Sequence, residues 1–406
     1  MQPELAIVLP GVGAVCTAAL RSRPQAALTA GAGLGLAGVI VIALTSPGAA
    51  SAQLGIALAM SAPSRVLLIA AAVSLGLAVA LAPPRVERAT LLTWGLAGLA
   101  GMAAIAAAPS LDLIVLILLA LALLQAGLAG RREFATRLRA PVLAVVLVGL
   151  AAAFARMQGP AQLDRFAAVG LVAGLVAGVG LLPYMHEFDP DEGVAASPIP
   201  WIAFVGPVLA TAILVRAKDI VAPDAGGPFG AMLIGLGLIN MLWGSVASWR
   251  TESGAAAWRY SFMADWGLAL CGFGLAIADG QAAALLVLVS IVLSRLPLYL
   301  WSRQALREKA PTDRPINLLA AAMLAGSAPF AGFSARVLLL RGATQLYWPL
   351  ALVLALGMLL WLPPSLRLGR SLGLPRGRQA LGVGIVMAIN VAIGLYPQPL
   401  LSLAGM

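Results

Sequence analysis

Apolar runs closed by proline, glycine or arginine follow one another along the whole of the 406-residue chain. A helix that crosses a bilayer needs about 20 predominantly apolar residues. The pattern predicts fourteen such helices, over residues 4–20, 26–45, 65–82, 89–108, 111–129, 140–156, 166–184, 201–216, 230–248, 260–278, 281–301, 317–340, 348–362 and 379–396. The connections are too short to hold an extramembrane domain. Two spans carry internal breakers: the seventh runs into Leu182-Pro183-Tyr184, and the twelfth contains Gly326-Ser-Ala-Pro-Phe-Ala-Gly332. Proline removes a backbone donor and glycine loosens the helical ladder. Such interruptions persist at membrane depth only where protein or water satisfies the freed groups.

Composition turns this pattern into a fold class. The chain is 61% hydrophobic and 10% charged, where soluble domains carry roughly 25% charged residues. An all-α membrane protein follows. The formal charge of +10 would suggest nucleic acid in a soluble protein, but here the basic residues sit in short loops and orient helices. Most of the 26 Lys and Arg residues follow odd-numbered spans, including Arg131-Arg132 and the segment from Arg367 to Arg378. By the positive-inside rule those loops face the cytoplasm and both termini lie outside. The opening Met1-Gln-Pro-Glu lacks a basic region, so the first span reads as a retained helix and not a cleaved signal. Cys16 and Cys271 lie far apart in apolar runs, without the spacing of a zinc, iron–sulfur or disulfide framework. No metal, no cofactor and no nucleic-acid partner is expected.

Gly170, Gly174 and Gly178 recur at helical spacing, as do Gly31 and Gly35. Small residues let helices approach closely, either inside one bundle or across a seam between subunits. The interrupted seventh and twelfth spans are five apart, and broken helices at matching places in two halves point to an inverted-repeat transporter. A single polytopic membrane domain is expected, with peripheral helices over 1–110, a first repeat-like bundle over 111–260 and a second over 260–406.

Ionisable groups inside a bilayer are costly and mark function by default. Asp112 opens the fifth span and Asp265 lies about a turn into the tenth, where either serves as an interfacial cap or as a relay. Arg295 lies within the eleventh span and Arg336 follows the break in the twelfth; each either snorkels, pairs structurally or joins an ion path. Gln125, Asn240 and Asn390 add uncharged polar support. The single histidine, His186, stands in the acidic segment Pro183-Tyr-Met-His-Glu-Phe-Asp-Pro-Asp-Glu192. It titrates near neutrality, so it can pass protons, or the segment can dock on a basic neighbour. A serine or cysteine nucleophile would need that one histidine, which makes hydrolase chemistry improbable.

These segments carry a resemblance. Leu182-Pro-Tyr-Met-His-Glu-Phe-Asp-Pro-Asp191, then Ala195-Ala-Ser-Pro-Ile-Pro200 and Ala203-Phe204, is similar to a signature of the antiporter-like subunits of complex I. Asn240-Met-Leu-Trp-Gly-Ser-Val-Ala-Ser-Trp-Arg250 and Trp258-Arg-Tyr-Ser-Phe-Met-Ala-Asp-Trp-Gly267 resemble the next two motifs in order. Gly326-Ser-Ala-Pro-Phe-Ala-Gly-Phe-Ser-Ala-Arg336 resembles the motif on the broken twelfth helix, and Gly394-Leu-Tyr-Pro-Gln-Pro-Leu-Leu401 the closing helix. The matches run in order from Leu182 to Leu401. They are nearest to subunit N of NADH:quinone oxidoreductases, and the same module occurs in membrane-bound hydrogenases and Mrp antiporters. The resemblance implies a multi-pass protein of the bacterial inner membrane with fourteen helices in an antiporter-like inverted-repeat fold. Its implied partners are other membrane-arm subunits and hydrophilic redox subunits, and its implied role is redox-driven proton translocation.

The departures matter as much. The family pairs a glutamate on helix five with a lysine on helix seven, and places further lysines on helices eight and twelve. Here no acid lies between Leu113 and Leu128, the helix-seven lysine position falls near Gly178, and Gly206-Pro-Val208 stands where Pro-Lys is expected. Arg336 alone keeps a charge at its matched place. Arginine effectively never loses its proton, so Arg336 biases neighbours without relaying. The expected proton path is Arg336, Arg295, Asp265 and His186, supported by Gln125, Asn240 and Asn390. A proton-inert spacer subunit and a freestanding secondary transporter with an anion on Arg295 or Arg336 stand as competing readings.

Overall fold

The computed structural model describes residues 3–48, 50–51, 57–81, 85–129, 134–157, 161–185, 201–221, 227–308, 314–375 and 377–406. Among these residues the regular structure is helical, apart from one isolated bridge between Ser51 and Leu58. The chain divides into two compact units, Met1–Val221 with Gly405, and Ala222–Ala404 with Met406.

The first unit contains α1 (Pro3–Ala19), α2 (Pro24–Leu44), α3 (Ala62–Leu81), α4 (Arg85–Ala107), α5 (Leu111–Ala129), α6 (Phe134–Arg156), α7 (Ala161–Val179) and α8 (Gly206–Ala217), the last led in by a π-helical turn, Trp201–Val205. The second contains α9 (Pro228–Arg250), α10 (Gly254–Gly274), α11 (Ala278–Ser290), α12 (Leu296–Glu308), α13 (Pro315–Leu324), α14 (Ala331–Leu346), α15 (Trp348–Leu360), α16 (Leu362–Arg370), α17 (Arg378–Leu395) and α18 (Gln398–Leu403). A second π-helical turn, Ile291–Arg295, joins α11 to α12. Seven of the described helices are long and apolar enough to cross a membrane. Five shorter apolar helices accompany them, including Leu111–Gly127 and Pro315–Leu324.

Glycine sets the tightest helix contacts. On α7, a Cβ at Gly174 would fall 3.1 Å from the Val148 nitrogen of α6, and one at Gly170 would fall 3.1 Å from the Leu147 carbonyl. These glycines therefore serve packing within the chain. In the second unit, a Cβ at Gly244 would fall 2.6 Å from the Ala264 nitrogen, so α9 and α10 touch backbone to backbone. Apolar tails solvate leucine as well as a protein core does, so close packing and polar bonds must supply the association. Arg367 adds one such bond set. Its guanidinium donates to the Ser248, Trp249 and Glu252 carbonyls at and just beyond the end of α9, which the helix leaves without partners.

Two helix ends differ from the spans read in the sequence. The seventh was expected to continue to residue 184, but α7 stops at Val179, because Gly180 turns to φ +85°. The twelfth, expected over 317–340, divides into α13 and α14, with Gly326 at φ +65° between them. Both ends carry the same backbone bonds. Leu181 N donates to Val176 O at 3.0 Å and Ser327 N to Ala322 O at 3.0 Å, each reaching back five residues. Tyr184 N then donates to Leu181 O, and Phe330 N to Ser327 O. This is the glycine-dependent helix stop in which a left-handed residue lets the next amide reach an unpaired carbonyl. A cis proline follows each glycine by three residues, at Pro183 and Pro329.

Candidate functional site: a buried charge cluster at a helix interruption

The cluster is assembled from separate segments of the second unit. Asp265 stands in the middle of α10, whose helix starts at Gly254, with Ser253 accepting from the Ala256 amide. It is 7% exposed, so the interfacial-cap reading of Asp265 is wrong. The helix begins six residues earlier than its apolar pattern, because Ser253 caps it, and that moves Asp265 from an end to the interior. Arg295, 3% exposed, comes from the π-helical turn. It grips Asp265 with two nitrogens: Nε donates to Oδ2, and Nη2 donates to Oδ1 at 2.9 Å. A two-pronged guanidinium–carboxylate pair fixes direction as well as charge.

The interruption after α13 supplies the third partner. The Leu324 carbonyl, freed by the end of its helix, accepts from Arg295 Nη2 at 3.0 Å and from the Trp361 indole at 2.8 Å. Trp361 also places its ring 4.8 Å from the Arg295 guanidinium carbon, a cation–π contact. Arg336, five residues into α14, lies against the Gly326 backbone. A Cβ at Gly326 would fall 2.6 Å from Arg336 Cζ, so glycine is required there for space as well as for its φ. Asp265, Arg295 and Arg336 line one small cavity of about 20 Å³ together with Ser290 and Ser294. That is enough for a water, which needs about 10–15 Å³. Ser294 donates to Asn390 at 2.6 Å, and Asn390 in turn donates to the Val386 carbonyl of its own helix.

Four of the residues read from the sequence thus meet here: Asp265, Arg295 and Arg336 around the cavity, with Asn390 behind Ser294. Asn240 is buried on α9, with its amide donating to Leu236 O at 2.9 Å. Gln125 is buried on α5 in the first unit. His186 lies outside the described residues. Asp112 stays at the exposed end of α5, paired with Arg156. The sequence reading missed Trp361 and the Leu324 carbonyl. Both had a signal: a helix stop always leaves orphan carbonyls, and a buried indole requires an acceptor.

Among the described residues, no charged side chain stands at the matching turn of the first unit. Trp201 Nε1 donates to the Gly178 carbonyl at 2.7 Å, as Trp361 does to Leu324. A side chain at Gly178 would meet Leu209, Ala144 and Leu118 at 3.2, 3.4 and 3.9 Å. The space around Gly178, near which the resemblance implies a lysine, is thus closed by apolar side chains.

No family model matches the chain. NADH-quinone oxidoreductase subunit N 2 of Solidesulfovibrio magneticus is 26% identical over 269 residues, covering 59% of this chain and 57% of that protein. The chain thus spans little more than half the length of that curated relative. Among solved structures, a chain of the Mrp complex from Dietzia sp. matches with a TM-score of 0.81 at 15% identity, covering 99% of this chain and 51% of that one. A chain of the membrane-bound sulfane sulfur reductase, an archaeal respiratory membrane complex, matches at 0.75 and 17% identity over 97% of this chain and 76% of that one. One of respiratory complex I from Thermus thermophilus matches at 0.72 and 22% identity over 97% of both.

Proposed function

We propose, from the antiporter-like fold that this chain shares with membrane subunits of those complexes, that it is a membrane-arm subunit of a complex I-like, proton-translocating oxidoreductase. Electrons move in hydrophilic partner subunits, and this chain couples their energy to protons through its second unit. In this reading it crosses a bacterial inner membrane fourteen times with both termini outside. Its seventh and twelfth spans are interrupted, and its bundles over 111–260 and 260–406 form an inverted repeat.

The observation that carries the proposal is the Asp265–Arg295 pair held at the helix stop, with Arg336 in the same cavity. Asp265 is the one described member able to exchange a proton, because a guanidinium holds its own across the accessible pH range. While Arg295 grips it, the carboxylate stays charged. A field that draws Arg295 away from Asp265 loosens the grip and lets Asp265 take a proton from one side of the pair. The proton leaves toward the opposite side when Arg295 closes on the carboxylate again, and Arg336, without a carboxylate of its own among the described residues, adds a second positive charge to the cavity. His186 and its acidic neighbours serve as a proton collector or as a docking segment for a basic neighbour.

The leucine-filled turn of the first unit favours a second reading, a proton-inert spacer that holds its neighbours in register. The test is isolation. A tagged chain purified in mild detergent is expected to bring with it other membrane subunits and cofactor-bearing hydrophilic subunits whose turnover acidifies one side of a vesicle. A chain that isolates alone and transports alone overturns the proposal. An intact complex that pumps equally well without Asp265 and Arg295 selects the spacer.

A further inference from the structure

The charge cluster does not balance. Two guanidinium groups, Arg295 and Arg336, and one carboxylate, Asp265, are the ionisable side chains lining the cavity. Asp265 spends both oxygens on Arg295. The Nη1 of Arg295 is buried with no hydrogen-bond partner, and no ion pair is found for Arg336 among the described residues. A net positive charge and an unpaired donor inside an apolar unit are both unfavourable, and an uncompensated buried charge is among the costliest features a fold can carry.

We propose that this cavity binds one small monovalent anion, of the size and chemistry of chloride, between Arg295 and Arg336. The remaining lining groups suit it. Ser290 and Ser294 bring hydroxyls, although Ser294 spends its proton on Asn390. Gly326 leaves room for the Arg336 guanidinium, on which a Cβ there would fall, and Gly332 lets its own helix approach Gly326. A volume of about 20 Å³ admits a species near the size of water. The anion neutralises the cluster and satisfies Arg295 Nη1. It also keeps Arg336 from competing for Asp265. Binding is a property of the folded chain and requires no electron transfer, so its failure and the failure of the membrane-arm proposal are separable.

The experiment is equilibrium binding of radiolabelled chloride to the full chain, or to its intact complex, in lipid nanodiscs at constant ionic strength set with gluconate. One saturable site per chain is expected, displaced by bromide and not by gluconate, and weakened at least tenfold in Arg336→Gln while retained in Arg336→Lys. Absence of saturable binding overturns the proposal, as does binding undiminished in Arg336→Gln. If the glutamine variant does not stay folded, the wild-type protein with bromide decides. Anomalous density between Arg295 and Arg336 supports the site, and density only elsewhere overturns it.

Discussion

The turn after α7 and the turn after α13 use one backbone device and put it to opposite chemical use. In each, a left-handed glycine lets the next amide reach back five residues, a proline follows, and a tryptophan indole donates to a carbonyl two residues before the glycine. The freed carbonyls therefore do not themselves demand charge. Around Gly178 the surrounding space is closed by Leu118, Ala144 and Leu209. Around Leu324 it contains Arg295, Asp265 and Arg336. A helix stop of this kind is thus a scaffold that accepts either an apolar or a charged filling, and the side chains packed on it decide which.

The comparison breaks most visibly where charge is unbalanced. Asp265→Leu alone leaves Arg295 buried without its partner and is expected to destabilise the second unit by about 3–5 kcal/mol, whereas Asp265→Leu with Arg295→Met returns to within about 1–2 kcal/mol of the wild type. Thermal unfolding of the four variants in detergent measures the cycle, and additive losses would contradict a paired cluster. The mirror experiment is Leu118→Glu in the first unit. An acid placed without a cation in leucine surroundings is expected to lower stability by about 3 kcal/mol or more.

Smaller effects sharpen the comparison. Trp201→Phe takes the indole donor from the Gly178 carbonyl and should cost about 1–3 kcal/mol, while Trp361→Phe leaves the Leu324 carbonyl its Arg295 donor and should cost about 0.5–1.5 kcal/mol. Only the second should alter proton coupling, since Trp361 also lies against Arg295. Gly180→Ala and Gly326→Ala force a side chain into the left-handed region at roughly 1–2 kcal/mol each. The Gly326 variant should in addition displace Arg336 and lower the coupling ratio by the share of this subunit, while the Gly180 variant leaves the ratio unchanged. Arg156→Ala breaks an exposed pair with Asp112 and should move the unfolding midpoint by less than about 1 kcal/mol equivalent.

Apolar runs and their breakers made the helical membrane fold and both turns legible, because glycine and proline act locally and act in any context. The cluster was legible in its members but not in its geometry. Arg295 and Arg336 stood out as charges in apolar spans, yet Asp265 read as lying near a helix end, since Ala256 to Arg259 looks interfacial until Ser253 is recognised as the cap. Trp361 was hidden among other aromatics at helix ends; what marks it is an acceptor on α13, and pairing across elements leaves no periodicity in the chain. The apolar filling of the first unit was signalled by absent residues at expected positions, which a resemblance can reveal and hydropathy cannot.

The most direct test is the number of protons moved per electron by the assembled complex in sealed vesicles, for wild type, Arg336→Gln and the Asp265→Leu/Arg295→Met pair. The charged turn predicts that electron transfer continues in all three while the ratio falls by the share of this subunit in both variants. An unchanged ratio with the complex intact would contradict it, leaving the second turn as inert as the first.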